Sequence, residues 1–482
     1  MQKITFTSDL DANTALMRSI FEDDDTFIVR KVQGNGGLRC AMFFFDGMVD
    51  SHVINESLVR PVLLSRAARL SADALAVRVL QADDCRVESD TDKALTAFLY
   101  GDTLVLTEGD ARPLIVNTKG FARRSPDEPE NERVLSGPRE GFTECFMPNL
   151  ALIRRRVRDT RLKFTFLRVG DRTNTSVCLC YLDGLCPEEL VREMQDRLGA
   201  LTLDSVLDAN YIAECLREHR WSPFPTLGTT ERPDVAASRL LEGRCALVVD
   251  GSPVVLTAPH LLQECFQSND DYYISYLQAN VSRMLRTLGF FCSVTIPAVY
   301  TALLLYHREL VPARLLFAVT AAQRGVPLPV GWEVLLLLIV LEVLREAGAR
   351  TPGAMGQTMS IVGGLVLGQA AVSARFSAAP TVIVVAVAGV TGLMAPRLQA
   401  AALWLRFLLL GAAAAGGLYG VGLMLSLTTA LLCRMTSCGV PYLVNLVPRV
   451  RADTEDTWLR VPWYRMKYDR FRFFRTAGRD RE

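Results

Sequence analysis

The stretch that most constrains the fold is Thr287–Tyr306, which holds 20 residues without a charged side chain. At a rise of 1.5 Å per residue, a helix of this length is about 30 Å long, the hydrocarbon thickness of a bilayer. The residues before it are rich in charges and turn formers, whereas those up to about Pro448 are dominated by Leu, Val, Ala and Gly. We therefore expect a water-soluble part followed by a membrane part.

Composition and motifs exclude several classes of protein. The 53 Lys and Arg residues balance 52 Asp and Glu, so the net charge of +1 gives no reason to expect a polyanionic partner. The sequence contains no phosphate-binding loop, no nucleophile elbow and no zinc-protease helix, so we expect no enzyme, no catalytic residues and no cofactor. Twelve cysteines without a C-x-x-C pair and four scattered histidines predict buried thiols rather than a metal site or a disulfide framework.

The soluble part contains a repeat. The apolar runs Leu38–Phe45 and Ser176–Leu182 are each predicted to be strands, and each ends at an Asp-Gly turn followed by a helix pattern. Predicted hairpins follow at Thr103–Asn117 and Cys245–Thr257. The two copies are about 137 residues apart at the Asp-Gly turns and about 142 at the hairpins, which indicates one duplicated unit. We expect an α/β soluble region of two tandem, similar subdomains, followed by an all-α polytopic membrane domain.

The chain start and the basic residues near the membrane part predict its orientation. The start, MQKITFTSDLD, has no basic segment leading into an apolar core, so no signal peptide is expected. Arg283 and Arg286 precede the first span, and ten Arg and Lys residues follow Pro448. Positive residues concentrate on the cytosolic side, so both termini are expected there, with an even number of crossings. Aromatic residues interleave with the basic tail, which fits an interfacial anchor better than a nucleic-acid platform.

The expected domain organisation follows from these features. It comprises an acidic N-terminal segment (1–36), a first cytosolic α/β subdomain (37–124), a linker (125–136), a second cytosolic α/β subdomain (137–280), a transmembrane domain of four to six helices (281–448) and a basic, aromatic cytosolic tail (449–482).

Two charged clusters are candidate sites. Arg154, Arg155 and Arg156 end a predicted amphipathic helix; they either pair with neighbouring acids on a solvated face or contact an acidic subunit or anionic lipids. The second cluster lies within the membrane part and consists of Glu333, Glu342, Arg345 and Glu346. Helical spacing brings the last three together, either as an intramembrane ion-pair cluster or on a helix that lies on the membrane surface.

Several short strings make the sequence similar to a known family. They are Gly137–Glu144 (GPREGFTE), Asn149–Arg156 (NLALIRRR), Leu241–Arg244 (LEGR), Leu344–Gly348 (LREAG), Ile361–Gly364 (IVGG), Gly368–Val372 (GQAAV) and Gly439–Tyr442 (GVPY). In this order they resemble the A-subunit family of bacterial spore germinant receptors, the GerA family. The resemblance runs from about residue 40 to about residue 450 and departs from the family at the short, acidic amino end.

The resemblance implies a function. It implies a nutrient-receptor subunit in the spore inner membrane, with both termini in the spore core, that works with a transporter-like B subunit and a lipoprotein C subunit. Family members are thought to form homo-oligomeric, pentameric channels that release monovalent cations when the B subunit binds a germinant. Accessory channels of the late-sporulation type, and a scaffold that conducts nothing, stay open as alternatives. A secondary transporter is disfavoured because the repeat lies in the soluble half.

The helix around Ile361–Val372, within the glycine-rich stretch 353–372, is the candidate pore helix. Its small residues allow close subunit packing, and its glutamines offer polar atoms to a passing ion. Tight helix packing without a pore is the alternative. The candidate pore-lining residues are Gln357, Ile361, Gly364, Leu365, Gly368 and Gln369.

Overall fold

The computed structural model describes residues 5–120, 132–134, 136–350, 364, 366, 368–444 and 456–464. Up to residue 275 the described chain forms two five-stranded sheets with helices packed on them. From residue 276 onward it is mainly helical. The expected α/β class of the first part and the helical class of the second part are therefore confirmed.

The first sheet is fully antiparallel, with the strand order β1-β2-β4-β5-β3. Its strands are β1 (Phe27–Gln33), β2 (Arg39–Phe45), β3 (Cys85–Val87), β4 (Thr103–Thr107) and β5 (Leu114–Val116). Its helices are α1 (Leu10–Ile20), α2, which joins Ser51–Val53 and Arg60–Leu64 through a π-helical stretch at Ile54–Val59, α3 (Ala72–Arg78) and α4 (Thr91–Leu99). The helices cover both faces of the sheet, so each face has its own apolar core.

Residues 1–36, expected as a separate acidic segment, instead supply α1 and β1 of the first sheet. Leu10, Met17 and Phe21 are buried against this sheet, and their spacing places them on one side of the helix and its end. β1 pairs with β2 over seven residues. The expectation was wrong because it was based on the charges of this segment and not on the helical spacing of its few apolar residues.

The second sheet is also antiparallel, with the order β6-β7-β9-β10-β8. Its strands are β6 (Leu162–Val169), β7 (Thr175–Leu182), β8 (Gly228–Thr230), β9 (Cys245–Val249) and β10 (Val255–Ala258), and its helices are α5 (Phe146–Arg156), α6 (Glu188–Gly199), α7 (Ala209–Leu216) and α8 (Pro233–Leu241). Two 3₁₀ turns, Leu262–Phe266 and Asn269–Tyr272, lead out of it. Counted along the chain within each sheet, both sheets have the order 1-2-4-5-3.

The helical part begins with α9 (Tyr276–Tyr306), which contains the uncharged stretch Thr287–Tyr306. It continues with a 3₁₀ turn at Arg308–Leu310, α10 (Ala313–Gln323), α11 (Val330–Arg350), a helical segment at 368–373, α12 (Ala379–Gly392), a 3₁₀ turn at Pro396–Leu398 and α13 (Gln399–Arg434). A short hairpin, β11 (Thr436–Ser437) and β12 (Val440–Pro441), follows. Across the described ranges, two helices are long and apolar enough to cross a membrane, Tyr276–Tyr306 and Pro396–Arg434. The four to six expected crossings stay a prediction.

α13 is a helical hairpin rather than one continuous rod. Gly417 has φ +60° and ψ −142°, which is far from helical values. A Cβ atom on Gly420 would lie 2.1 Å from the carbonyl oxygen of Ala412, whereas residues eight apart in a continuous helix are separated by about 12 Å. The chain therefore reverses at Gly417 and forms two antiparallel arms.

Contacts at the ends of the hairpin fix its direction. Arg397, just before the first arm, pairs with Glu132 at 2.7 Å, and the backbone N–H of His260 donates to Ser437, just after the second arm, at 2.9 Å. The tip lies at the far end of α9, where the Tyr306 hydroxyl donates to the Ala414 carbonyl at 2.7 Å. Both arms therefore have one end at the second sheet, and the tip points away from it.

Candidate functional site

A buried arginine forms the centre of the helical part. Arg406, on the first arm of α13, is 2% exposed. Its Nη1 donates to Glu342 Oε1 on α11 at 2.9 Å, its Nε to the Ser293 carbonyl on α9 at 3.0 Å, and its Nη2 to the Ala388 carbonyl on α12 at 3.3 Å. One guanidinium thus joins four helices. Gly392 makes room for it, because a Cβ there would lie 2.2 Å from Arg406 Nη2.

The predicted cluster of four charges is divided by the structure into three places. Glu342 and Arg345 do form an ion pair at 3.0 Å, as their spacing predicts, and Arg406 shares the same carboxylate oxygen. Glu346 instead points outward, 64% exposed, and pairs with Arg350. Glu333 lies nine residues before Glu342 and contacts a different group of residues.

Sequence reasoning missed Arg406 because this residue stands at the edge of the long uncharged run that starts at Phe407. The available signal was that Arg406 is the only charged residue between Arg397 and Arg434. A single charge in so long an apolar stretch has to find a partner, since isolated charges in a low-dielectric interior are strongly disfavoured.

Glu333, in the first turn of α11, is 1% exposed, and its carboxylate contacts the start of α12. Its Oε1 accepts hydrogen bonds from the Ser377 hydroxyl at 2.7 Å and from the Ala378 N–H at 2.6 Å. A carboxylate at this end of a helix is stabilised by the unpaired backbone N–H groups and by the helix dipole.

Three of the six candidate pore residues lie in the described part of the chain: Gly364, Gly368 and Gln369. Gln357, Ile361 and Leu365 lie outside it. Gly364 and Gln369 are exposed, and a Cβ on Gly364 would meet nothing within 4 Å. Gly364 and Gln369 are therefore open positions within the described part of a single chain, whereas a Cβ on Gly368 would lie 3.7 Å from Val382.

A second charged network holds the base of α9. Arg283 Nε donates to Asp271 at 2.8 Å and its Nη1 to Asp456 at 2.7 Å, while Arg286 pairs with the other oxygen of Asp271. All four side chains are largely buried. The helix that leaves the second sheet is thereby tied both to that sheet and to the segment 456–464.

A third network lies where β11 meets the second sheet. His260 Nδ1 lies 2.8 Å from Glu264 Oε2, and Arg244 pairs with the same carboxylate. Burial would raise the pKa of Glu264, but Arg239, Arg244 and His260 hold it well below its usual range. Burial lowers the pKa of His260 despite its bond to Glu264, so this imidazole is neutral near pH 7.

The arginine cluster of α5 is used inside the chain. Arg154 is 1% exposed, pairs with Asp24 of the first subdomain and stacks over Phe45 and Phe164 at 4.0 and 4.5 Å. It joins the two sheets and is not available for the expected subunit or lipid contact, because it is covered by both. Arg155 and Arg156 both pair with Glu140, the latter at 2.7 Å.

Comparison with known proteins identifies the family. The family model described as Bacillus/Clostridium GerA spore germination protein matches residues 15–471. The chain belongs to the GerA family. The resemblance found in the sequence is thus confirmed.

Several GerA-family relatives match nearly the whole chain. Spore germination protein KA of Bacillus subtilis is 36% identical over 438 residues, which are 90% of this chain and 80% of that protein. Spore germination protein A1 of Bacillus subtilis is 32% identical over 464 residues, 96% of each chain. An uncharacterized membrane protein of Bacillus subtilis, YfkQ, is 36% identical over 460 residues, 95% of this chain and 90% of that protein.

Among solved structures, the chain is similar to the N-terminal domain of the A subunit of the Bacillus megaterium spore germinant receptor GerK3. The match has 26% identity and a TM-score of 0.41, and it covers 54% of this chain and 99% of that one.

Proposed function

We propose that this GerA-family chain is the A subunit of a nutrient germinant receptor in the spore inner membrane and that it assembles into an oligomeric channel for monovalent cations. The observation that carries the proposal is the Glu342–Arg406 pair, a fixed charged contact buried where four apolar helices meet. Ionisable groups at such depth are costly and are found mainly where a protein builds a polar pathway or a moving part. No catalytic role and no cofactor is proposed.

The directions of the helices support six crossings. Gly331, at the start of α11, lies beside Thr301 near the far end of α9, while Glu342 reaches the level of Ser293, so α11 runs back toward the second sheet. α12 starts beside Glu333 and ends near Ser293, so it runs in the same direction as α11. From these two parallel helices we infer that the chain crosses the membrane once more between them, in the opposite direction.

That return is the glycine-rich stretch with the candidate pore residues. Together with α9, α11, α12 and the two arms of α13 it gives six crossings, with both termini on the cytosolic side. The exposed positions Gly364 and Gln369 are where neighbouring copies, five in a pentamer, would enclose a pathway for the ion. The B subunit would supply the germinant signal and the lipoprotein C subunit would complete the receptor.

The substitution Gly364→Trp tests the position of the pore. In a single chain the position is open, so the indole is tolerated by the fold of one subunit, whereas around a shared axis it fills the pathway. We expect normal protein levels and loss of monovalent cation release. Gly422→Trp is the matched control, since Gly422 is also a helical glycine whose Cβ would meet nothing within 4 Å. Unchanged cation release in Gly364→Trp would remove this helix from the pore.

A further inference from the structure

One oxygen of the buried Glu333 carboxylate has no hydrogen-bond partner among the described residues. Oε1 accepts two hydrogen bonds, from Ser377 and Ala378, whereas Oε2 is buried and accepts none. Within the described ranges no Lys or Arg forms an ion pair with Glu333. Leaving a charged, buried oxygen without a partner costs more than leaving a neutral one. Capping α12 requires only Oε1, so the cap does not explain why this position carries a second, unpaired oxygen.

The surroundings of Glu333 offer further oxygen atoms. The Tyr300 hydroxyl, on α9, lies 3.2 Å from the Thr381 hydroxyl, which is in the first turn of α12 beyond Ala378. Gln323, at the end of α10, brings its side-chain amide into hydrogen-bond contact with the Tyr300 hydroxyl. Four helices thus bring one carboxylate, three hydroxyls and one amide to the same level of the bundle. Hard cations prefer such oxygen ligands.

We propose that Glu333 Oε2 is the anionic ligand of a binding site for one dehydrated or partly dehydrated monovalent cation. A single carboxylate neutralises one positive charge, and in the described part of the chain no group of three acidic, His or Cys side chains could hold a multivalent metal. The hydroxyls of Ser377 and Thr381 supply neutral oxygens beside it. Because Oε1 is already held by two donors, the carboxylate is fixed in place before the cation arrives.

The place of the site in the fold gives it a role in the proposed function. Tyr300 is 13 residues beyond Thr287, which is about 20 Å along α9 and toward the end remote from the second sheet. Ser377 lies four residues after the helical segment 368–373, which ends the candidate pore helix. That this site belongs to the ion pathway, at the end remote from the second sheet, rests on the proposed function. Cation binding at Glu333 does not.

Thermal unfolding of the purified full-length protein in detergent tests the site. KCl or NaCl replaces choline chloride at constant ionic strength, because choline screens charges equally but is too large for the site. We expect a saturable rise in Tm with the small cation for the wild-type chain. Glu333→Gln keeps the two hydrogen bonds to Oε1 and removes the charge. We therefore expect the cation concentration that gives half of the rise in Tm, the midpoint, to be at least about tenfold higher.

Glu346→Gln is the matched control because it removes an acid from the same helix at an exposed position, and it should respond like wild type. If Glu333→Gln does not fold, Thr381→Val removes one proposed ligand with little change in volume and should raise the midpoint. The proposal is overturned if wild type shows no difference between choline and the small cations, or if the variants keep the wild-type midpoint. A chain that binds the cation but shows no flux in liposomes would contradict the channel and leave this site standing.

Discussion

Loss of the Glu342 carboxylate gives the sharpest test of the helical part. In Glu342→Gln, Arg406 stays buried and keeps its bonds to the Ser293 and Ala388 carbonyls, but it loses its anionic partner. The nearby Arg345 side chain then adds an uncompensated like charge. The variant therefore tests whether the pair holds the four helices together.

The size of the effect follows from burial. Removing one partner of a buried ion pair costs about 3–5 kcal/mol. Glu342 is 18% exposed and Arg406 retains two carbonyl acceptors, so we expect a cost at or just below the lower end of this range, about 2–3 kcal/mol. Arg406→Leu removes the buried cation while Arg345 still neutralises Glu342, so it should cost less. Because the two side chains contact each other, the change in unfolding free energy of the double variant should differ from the sum of the two single changes by about 1–3 kcal/mol.

The measurement is unfolding of the purified protein by SDS in mixed micelles, followed by far-ultraviolet circular dichroism. Glu346→Gln, on the same helix but in an exposed pair, should change the unfolding free energy by less than about 0.5 kcal/mol. The reasoning is refuted if Glu342→Gln is as stable as this control, or if the effects of the two single variants simply add.

Two further predictions concern the hairpin and the third network. Gly417→Ala should lower the unfolding free energy by about 2–3 kcal/mol or more, because φ is +60° and the new Cβ would lie 2.7 Å from a His307 ring atom. Gly416→Ala is the control: its Cβ would meet no described atom within 4 Å, so the variant should raise the unfolding free energy by up to about 1 kcal/mol. Equal unfolding midpoints for these two variants would argue against the reversal at Gly417. Since burial lowers the pKa of His260 in the fold, the unfolded chain takes up a proton first as the pH falls, so stability should drop from about pH 6.5 downward. His260→Gln should flatten that drop in unfolding measured against pH, whereas the exposed His52→Gln should not; a wild-type profile that is level from pH 7 to 5 would contradict the assignment.

Features set by local chemistry could be predicted from the sequence. β2 and β7 end at the predicted Asp-Gly turns, and their starts differ from prediction by one residue. Gly47 and Gly184 have φ values of +77° and +71°, which only glycine adopts at little cost. The spacing of Glu342 and Arg345 likewise predicts the ion pair that the structure contains, because residues three apart on a helix are neighbours.

Features set by packing between distant residues could not be predicted. The first turn of α12 determines where Glu333 points, and only the folded bundle places Arg406 beside Glu342. The same applies to Arg154, which seemed to belong to a solvated basic face until Asp24 and two phenylalanine rings were found to enclose it. Helical spacing indicates which side chains share a face, but not what covers that face.

Cation flux through the purified chain tests the central claim most directly. The full-length protein is reconstituted into liposomes loaded with KCl, and release of K⁺ is recorded for wild type, Gly364→Trp and Gly422→Trp. The account predicts release through wild type and the Gly422 variant, and none through the Gly364 variant. Liposomes that retain K⁺ with the wild-type protein under every condition, including addition of the B and C subunits with germinant, would contradict it and favour a scaffold that conducts nothing.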